Sequence, residues 1–598
     1  MARILQKILS ILPQHAIVGL GILIGSIIGA NQKKRRVAFR NVKLAFPEYT
    51  DARLRKIVRA SFINFGIAVL ESFIPKRIYP QVTFASEEAF PPDGGILVGI
   101  HEGSWEVYNW LLAHQCNYAI FARQQGHATM DTFLNNARRS ENIKVTFTLK
   151  SLLRHLHAGC MIGLGIDHGA EDNAPMIEFF THLVPTPRTA VYLAKKFNKK
   201  IYPGFGWRTT GLAHTLHIGA SLDPGQKTEH ELLRELNAIY ENYLRQHPAE
   251  YLWWYKRFKR KSTVDAIVLS DGKQGHIKQS EAFIAILNLV KKELRTRTIE
   301  VRYRGRITRI FAELCAFFSG ASCIGCGRCL RILLTRSSYE ELRKYYADTV
   351  VSTGSFSAAI NRIFSAYVGA KSVAILRPNI PLSRFDMTIL PEHDRISAAN
   401  TTLIKGALFY PKDLERKIKQ CKDFFNLSGQ PKISIFFGGP ISDTGTFIKN
   451  GKLFLEKIKA FARDRRYRIL ISTSRRTPEI FEKYLEENME KDPLTETVVY
   501  ARRGNHDFIF EGFVSTSDVA FVSAESISMI SEVLSLKKPC VSILCERIHA
   551  KHKVFLESIR DQVQFLMPPF SLDGINPVSS SIFEDNVAAI RAAIQQRL

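Results

Sequence analysis

A histidine and a carboxylate stand five residues apart, His101 and Glu106, directly after the apolar run GILVGI at 95–100. At the exit of a strand, a neutral imidazole can take a proton from a hydroxyl. A carboxylate on its other nitrogen would fix the tautomer and stabilise the imidazolium that forms. If a helix opens after Gly103, His101 lies at its N-terminal approach and Glu106 about one turn inside, close enough to pair. The spacing alone is equally met by a half-buried histidine beside an unrelated glutamate on a helix surface. The pair therefore needs a frame.

Composition limits that frame. At 598 residues, 45% of them hydrophobic, the chain is long enough for several domains with ample core. Nine cysteines, with no cleavable secretory signal, point to a reducing compartment. The formal charge of +27 favours anionic partners. No nucleic-acid motif accompanies it, so an anionic membrane surface and phosphate-bearing substrates are expected and nucleic acid is not. Residues 4–30 carry one charge, Lys7, and their apolar core at 16–30 follows an interruption at Pro13, Gln14 and His15. The uninterrupted part is shorter than the roughly 20 residues of a spanning helix. A tilted span, a re-entrant segment and an interfacial helix all stay open. The basic run KKRR at 33–36 opposes a signal peptide and suits cytoplasmic headgroups, which places the soluble bulk on the cytoplasmic face of the membrane.

Between 95 and 244, short apolar runs alternate with amphipathic stretches, the pattern of an α/β domain. It ends near the basic segment 256–261. We divide the chain into a membrane-anchoring segment 1–30, an α/β domain 31–262, and two Rossmann-like domains at 263–420 and 430–598, with a linker near 412–430. The second half opens with strand 266–270, the glycine-bearing turn DGKQGH at 271–276 and a helix expected over 279–294. Without Walker spacing or G-x-G-x-x-G this turn is a weak phosphate signal. The next domain opens at strand 432–437 with Gly438 and Gly439 at its exit, and further strands are expected at 467–472 and 519–522. Ser474, Arg475 and Arg476 follow one strand end, where ligands of open α/β sheets collect. The stretch SAESISMISE at 523–532 leaves another strand and opens a helix. Its Ser526 and Ser528 could face a diphosphate and its Glu532 a ribose. An ordinary capped helix with a solvent glutamate fits the same letters. Cys323, Cys326 and Cys329 form C-x2-C-x2-C without the continuation of a ferredoxin site, so buried thiols are expected and no metal is assigned.

Residues 1–261 resemble the late (lauroyl/myristoyl) acyltransferases of lipid A biosynthesis, relatives of the glycerolipid acyltransferases. The resemblance rests on KKRR at 33–36, RNVKLAFP at 40–47, the His101/Glu106 motif and Asp167 after the run 161–166. It rests also on Phe179-Phe180, Thr189-Ala190, Leu193-Ala194 and YLWWYKR at 251–257. His168 stands where the family commonly has glutamine, and Tyr255 where it commonly has histidine. The resemblance implies transfer of a fatty acyl group from an acyl carrier protein or coenzyme A thioester to a hydroxyl of a lipid A-type glycolipid. His101 would be the base and Glu106 its orienting carboxylate, and no covalent acyl-enzyme or cofactor is required. Arg138 and Arg139 would hold phosphate or stabilise the oxyanion, and Asp167 would be structural or bind the acceptor.

Residues 264–597 resemble the family named for a plant mitochondrial-fission (elongated mitochondria) protein, through SDGKQGH at 270–276, PLSRFD at 381–386, PEHDR at 391–395, Gly438-Gly439-Pro440, STSRRTP at 472–478 and SISMISE at 526–532. This implies a GT-B-like pair of Rossmann domains. A nucleotide-sugar would then lie against Gly438, Gly439, Ser474, Arg475, Ser526, Ser528 and Glu532. The expected whole is a bacterial inner-membrane acyltransferase fused to a glycosyltransferase-like module. The alternatives are an acyltransferase on another lipid acceptor, or a non-catalytic membrane-remodelling scaffold.

Overall fold

Apolar runs bounded by glycines and charged turns become strands, most of them parallel, in three separate sheets, with Ile201–Thr210 and Ala213–Ile218 the antiparallel pair of the first. The computed structural model describes all residues except 1, 122–137, 139–142, 169, 292, 319–325, 442, 505, 548–549 and 576–581. The chain divides into two compact units, Met1–Val264 with Arg343–Tyr346, and Asp265–Leu342 with Ala347–Leu598.

The first unit is built on a seven-stranded sheet of order β1-β9-β8-β2-β5-β3-β4. Its strands are β1 (Val82–Ser86), β2 (Ile96–Gly99), β3 (Tyr118–Phe121), β4 (Lys144–Thr146), β5 (Met161–Gly165), β8 (Ile201–Thr210) and β9 (Ala213–Ile218). A small hairpin, β6 (Met176–Phe179) with β7 (His182–Pro185), lies outside the sheet. β2 and β5 run parallel in the middle, with Gly99 opposite Gly165. Ile96, Leu97 and Val98 are all buried, as expected of a strand covered on both faces. Helix Glu229–Gln246 starts in a Thr228/Glu231 capping box. From it the Tyr240 hydroxyl donates to the carbonyls of Val98 at 2.6 Å and Gly204 at 3.2 Å, pinning the ends of β2 and β8.

The amino-terminal stretch forms α1 (Ala2–Ile11), α2 (Gln14–Ala30), α3 (Gln32–Ala45) and α4 (Asp51–Glu71). The break falls at Pro13, which lacks the N–H that would continue a helix. α2 lies close against α4: a side chain at Gly21, Gly25 or Gly66 would strike the backbone of the facing helix. Its other face leaves Leu20, Ile22, Leu23 and Ile27 exposed. Among the described residues no single helix is long and apolar enough to cross a membrane. α2 with α3, and α4 with the following turn to Gln81, pass that test only as pairs bent by 91° and 112°.

The second unit holds two six-stranded sheets. The first has order β11-β10-β12-β13-β14-β15, from β10 (Thr263–Ser270), β11 (Glu293–Glu300), β12 (Thr349–Thr353), β13 (Lys371–Ile375), β14 (Met387–Pro391) and β15 (Thr401–Ile404). The second has order β18-β17-β16-β19-β20-β21, from β16 (Lys432–Phe437), β17 (Arg468–Thr473), β18 (Thr495–Val499), β19 (Val519–Ser523), β20 (Cys540–Ile543) and β21 (Gln564–Leu566). The first is parallel from β10 through β12 to β15, and the second throughout. In each, the first strand sends the chain to one side and then to the other, the doubly wound pattern of a Rossmann-like sheet. The last helix, Ile582–Arg597, returns to the first of these sheets. Its Ile590 and Ile594 join the core of Val268, Val351 and Ile389, and its Asn586 side chain exchanges two 2.9 Å hydrogen bonds with the backbone of Lys405.

Two expectations are corrected. The helix expected over 279–294 begins at Gln274 and ends at Val290, because the turn before it is shorter and β11 starts at Glu293. The stretch 412–430, expected as a linker, is mostly helix, Leu414–Phe425, anchored by Cys421 in the core and by Lys417 paired with Glu511 at 2.8 Å. Cys315 and Cys329 are free thiols, while Cys323 and the side chain of Cys326 lie outside the described residues.

One buried charge network locks the end of α4 to the sheet. Glu71, fully buried, accepts from the Arg208 guanidinium, from the Ser104 hydroxyl and from His214 at 2.9 Å; His214 in turn meets the Tyr108 hydroxyl at 3.0 Å. Burial pushes the Glu71 carboxyl up, but Arg208 and His214 outweigh it and bring it down to about 2. A depressed carboxyl stabilises the fold above its unfolded value, and that contribution is lost as pH falls toward 2. Arg208→Met strands the carboxylate. It should lower unfolding free energy by about 3–5 kcal/mol, measured by denaturant titration at neutral pH.

Candidate active site

The register of β2 and β5 sets the site. Gly99 lies opposite Gly165, and Ile166 N donates to Gly99 O at 3.1 Å, so His101 and Asp167, two residues beyond the paired glycines, emerge side by side. Asp167 accepts twice from His101: its Oδ1 lies 3.0 Å from Nδ1, and its Oδ2 takes the backbone N–H at 3.1 Å. Asp167 is buried, whereas the His101 side chain is 35% exposed. Among the described residues no hydrogen bond engages Nε2 of His101. This leaves an imidazole held from behind, with its outer nitrogen open to a hydroxyl.

The carboxylate on the imidazole is therefore Asp167, where Glu106 was expected. Helix Trp105–Gln115 does open after Gly103, with Glu106 in its first turn. From there the Glu106 carboxylate is gripped by Arg138, through Nε at 3.0 Å and a second guanidinium bond. The helix opens where it was expected, but its first-turn carboxylate is taken by Arg138, and its charge reaches His101 only as a smaller addition to that of Asp167. Arg138, expected at a phosphate or oxyanion, is committed at least in part to Glu106. Arg139 lies outside the described residues.

Electrostatics follows the same geometry. Burial lowers the basicity of His101, but the Asp167 carboxylate outweighs it and raises the imidazole above its usual range. Burial likewise opposes ionisation of Asp167, yet His101 and His168 hold its carboxyl well below the ordinary value. His168 is pushed down to about 3, chiefly by burial. Its ring stacks on His101 at 3.7 Å between centroids, and on its other side it lies nearly parallel to Tyr255. The two residues that depart from the acyltransferase pattern are thus in contact with each other and with the base. His101, Asp167 and His168 also offer donor atoms within 4.8 Å of one another, a set that could hold a divalent cation in competition with the proton.

The aromatic segment 251–257 is the clamp on this loop. Gly103 N donates to Glu250 O at 3.0 Å, and Leu252 N to His101 O at 3.1 Å. Asn41 on α3 holds the far side through the carbonyls of Trp253 at 2.8 Å and Tyr255 at 2.6 Å. Phe46 packs edge-on to Trp253, and Trp254 stacks on Phe62 of α4 at 4.3 Å. These contacts give a physical reason for the RNVKLAFP and YLWWYKR motifs, which lie about 200 residues apart and meet around the histidine.

In the second unit, the expected nucleotide residues gather at the carboxyl ends of neighbouring strands β17, β16 and β19. Gly438 N donates to Ser523 Oγ at 2.7 Å, and the Thr477 hydroxyl donates to Gly438 O at 2.6 Å. The glycines are required by crowding: a side chain at Gly439 would strike Arg476, and one at Gly438 would strike Glu525. Ser474 lies in the adjoining turn, Arg475 is exposed beside it, and Ser526 precedes helix Ile527–Ser535 with Ser528 exposed in its first turn. Glu532 is not free for a ribose in this structure; its Oε2 pairs with Lys278 Nζ at 3.2 Å. Glu525 was not among the expected site residues. Burial pushes its carboxyl up to about 7, and its Oε2 is buried with no hydrogen-bond partner. The pattern of a strand followed by SAES places it at the turn, but only the fold shows that it points between β16 and β19.

Comparison with known proteins adds the following. Residues 274–581 match the family described as Mitochondrial fission ELM1. Residues 2–260 match the Bacterial lipid A biosynthesis acyltransferase family. A lipid A biosynthesis acyltransferase of Haemophilus influenzae is 23% identical over 254 residues, 39% of this chain and 80% of that protein. Among solved structures, the UDP-GlcNAc 2-epimerase of Methanocaldococcus jannaschii is 13% identical with a TM-score of 0.33, covering 56% of this chain and 92% of its own. The family 9 glycosyl transferase of Veillonella parvula is 10% identical with a TM-score of 0.28, covering 56% and 98%.

The geometry around His101 gives a pH signature. A base works when neutral, and Asp167 raises its titration. The rate of proton abstraction should therefore rise with pH through an inflection above the usual imidazole range of about 6.5. Asp167→Asn should move that inflection down and lower the plateau, and His101→Ala should cost about 10²–10⁴-fold. Acyl-transfer rates across pH 5–9 check both; an unmoved inflection in Asp167→Asn contradicts the assignment.

Proposed function

We propose, for a chain that belongs to the Mitochondrial fission ELM1 family and whose first half matches the lipid A biosynthesis acyltransferases, an enzyme of glycolipid assembly with two modules. The first unit moves a fatty acyl group from an acyl carrier protein or coenzyme A thioester to a hydroxyl of a lipid A-type glycolipid. The second is a glycosyltransferase-like module that takes a nucleotide-sugar at the ends of β16 and β19. The observation that carries the acyltransferase reading is the His101 imidazole held by buried Asp167 with Nε2 open.

The chemistry follows. The acceptor hydroxyl gives its proton to His101 Nε2 as its oxygen attacks the thioester carbonyl. Nδ1–H keeps its bond to Asp167, whose negative charge stabilises the imidazolium. Collapse of the tetrahedral species breaks the carbon–sulfur bond, and the thiolate recovers the proton. Asp167 and the aromatic clamp, through Gly103 N to Glu250 O and Leu252 N to His101 O, fix the loop; the Glu102 carboxylate is buried and accepts from Gly206 N at 2.9 Å. Incubation with acyl carrier protein or coenzyme A thioesters and lipid A precursors should add one acyl chain by mass, and the gain should vanish in His101→Ala. No acyl gain with either donor on any glycolipid would overturn the reading.

A site at the cytoplasmic face of the inner membrane is part of the same proposal. Its support lies in apolar faces turned outward in both units. In the first unit it is the exposed side of α2. In the second it is helix Arg306–Phe318, where Ile307, Ile310, Phe311, Leu314, Phe317 and Phe318 are exposed at helical spacing while Ala312 and Ala316 face inward. Arg306 and Arg309 flank that stripe, the arrangement of an interfacial helix on anionic lipid. In flotation with phosphatidylglycerol vesicles, serine at Leu20, Leu23 and Ile27 should weaken binding. Serine also at Ile307, Phe311 and Leu314 should remove the salt-resistant part. Unchanged flotation of the six-site variant would refute membrane attachment through these faces.

A further inference from the structure

The turn DGKQGH, a weak phosphate signal in the sequence, holds a second histidine–carboxylate pair. Nδ1 of His276 lies 3.0 Å from Oδ2 of Asp271. The other carboxylate oxygen accepts the backbone N–H of Lys273 at 3.2 Å, and the Lys273 ammonium lies 3.7 Å from Oδ2. Asp271 is nearly closed from solvent, its side chain 2% exposed, whereas His276 is 24% exposed. Among the described residues no hydrogen bond engages Nε2 of His276. The arrangement matches that around His101: a carboxylate fixed by the backbone behind, an imidazole in front, an outer nitrogen open.

Its place in the sheet is informative. β10 and β12 are parallel neighbours with Leu269 opposite Ser352, so Asp271 and Gly354 fall opposite one another just beyond the strands. The chain leaves β10 toward β11 on one side and takes up β12 on the other, so the crevice between β10 and β12 is the switch point of this sheet. Open α/β sheets bind ligands there. Gly354, at φ +77°, is where the imidazole lies; any side chain would strike the ring. Ser280 and Thr353 hydroxyls at 2.8 Å fasten the helix to the strand end. Two residues past His276, Lys278 pairs with Glu532 on helix Ile527–Ser535, so the start of helix Gln274–Val290 faces the domain that carries the β16/β19 residues. A purely structural helix-start role needs the aspartate on backbone N–H groups; it does not need an oriented imidazole with its outer nitrogen open in a switch-point crevice.

We propose that His276, oriented by Asp271, is the general base of a second group transfer in this chain. Nε2 takes the proton of an acceptor hydroxyl as that oxygen forms a bond to the anomeric carbon of a nucleoside diphosphate sugar. The bond from that carbon to the β-phosphate oxygen breaks, and its electron pair leaves with the nucleoside diphosphate. The products are the glycosylated acceptor and the free nucleotide, with the proton released from the imidazolium. This inference rests on the reading of the second half as a nucleotide-sugar module.

The test uses the purified full-length chain with UDP-, GDP- and ADP-linked sugars and detergent-dispersed lipid A as acceptor, with release of nucleoside diphosphate as the readout. Nucleotide binding is followed separately by melting temperature. For the sugar that turns over, His276→Ala and His276→Gln should each lower kcat by about 10²–10⁴-fold with little change in KM for the donor. Asp271→Asn should give a smaller loss. The glutamine variant keeps the bulk and a donor toward Asp271, so a folded His276→Gln chain turning over within threefold of the parent overturns the proposal. Nucleotides that raise the melting temperature without any turnover overturn the base assignment and leave the binding reading standing. No response to any nucleotide overturns that reading and the inference together.

Discussion

Parallel register is the constraint on which this protein's chemistry depends. In a parallel sheet every strand delivers its next residues to the same edge, so groups far apart in the chain become neighbours when their strands do. Gly99 opposite Gly165 puts His101 beside Asp167, and Leu269 opposite Ser352 puts His276 over Gly354. Phe436 opposite Val522 brings Gly438 to Ser523. None of these pairings uses local helical spacing. A slip of the ladder would move each partner away from its mate, so the backbone hydrogen bonds of the sheet are themselves part of each site.

Around His101 the ladder is reinforced by packing and charge. The Glu71 network fastens α4 to β8 and β9, and α4 carries Phe62 under Trp254, which belongs to the same segment that hydrogen-bonds the His101 loop. A buried carboxylate is costly unless its partners stay, so this network resists exchange of any one member. The stack of His101, His168 and Tyr255 shows the same interdependence. A histidine in place of the usual glutamine and a tyrosine in place of the usual histidine look like two separate departures in sequence, and one stacked pair in space.

The letters reveal the strands well because buried parallel strands are continuous apolar runs: 95–100, 161–166, 432–437 and 519–522 all become strands within a residue or two. They reveal His101 and Asp167 individually, each at the exit of such a run. They do not reveal that the two meet, since that requires knowing that β2 and β5 are neighbours. The short reach to Glu106 was the visible option, but Arg138 takes that carboxylate. Likewise Glu532 looked open to a ribose because its partner, Lys278, comes from a helix more than 250 positions earlier. The His276 and Asp271 pair was hidden differently. Both residues stood in plain view in one turn, but their weight depends on the switch point between β10 and β12, which is a property of strand order.

The last helix adds a consequence for how the chain is made. Ile590 and Ile594 complete the core of the sheet β10–β15, yet they are synthesised after every strand of the following sheet. At ordinary elongation rates of about 5–20 residues per second, the interval between β15 and this helix is roughly ten to forty seconds. Throughout that time the core of the first Rossmann-like sheet, with Phe283, Ile286 and Leu287 already in place, lacks Ile590 and Ile594, while the strands of its neighbour are still being made. The two sheets are thus coupled in biogenesis, the earlier one waiting on the later, and a nascent chain of this protein offers chaperones a defined surface to hold.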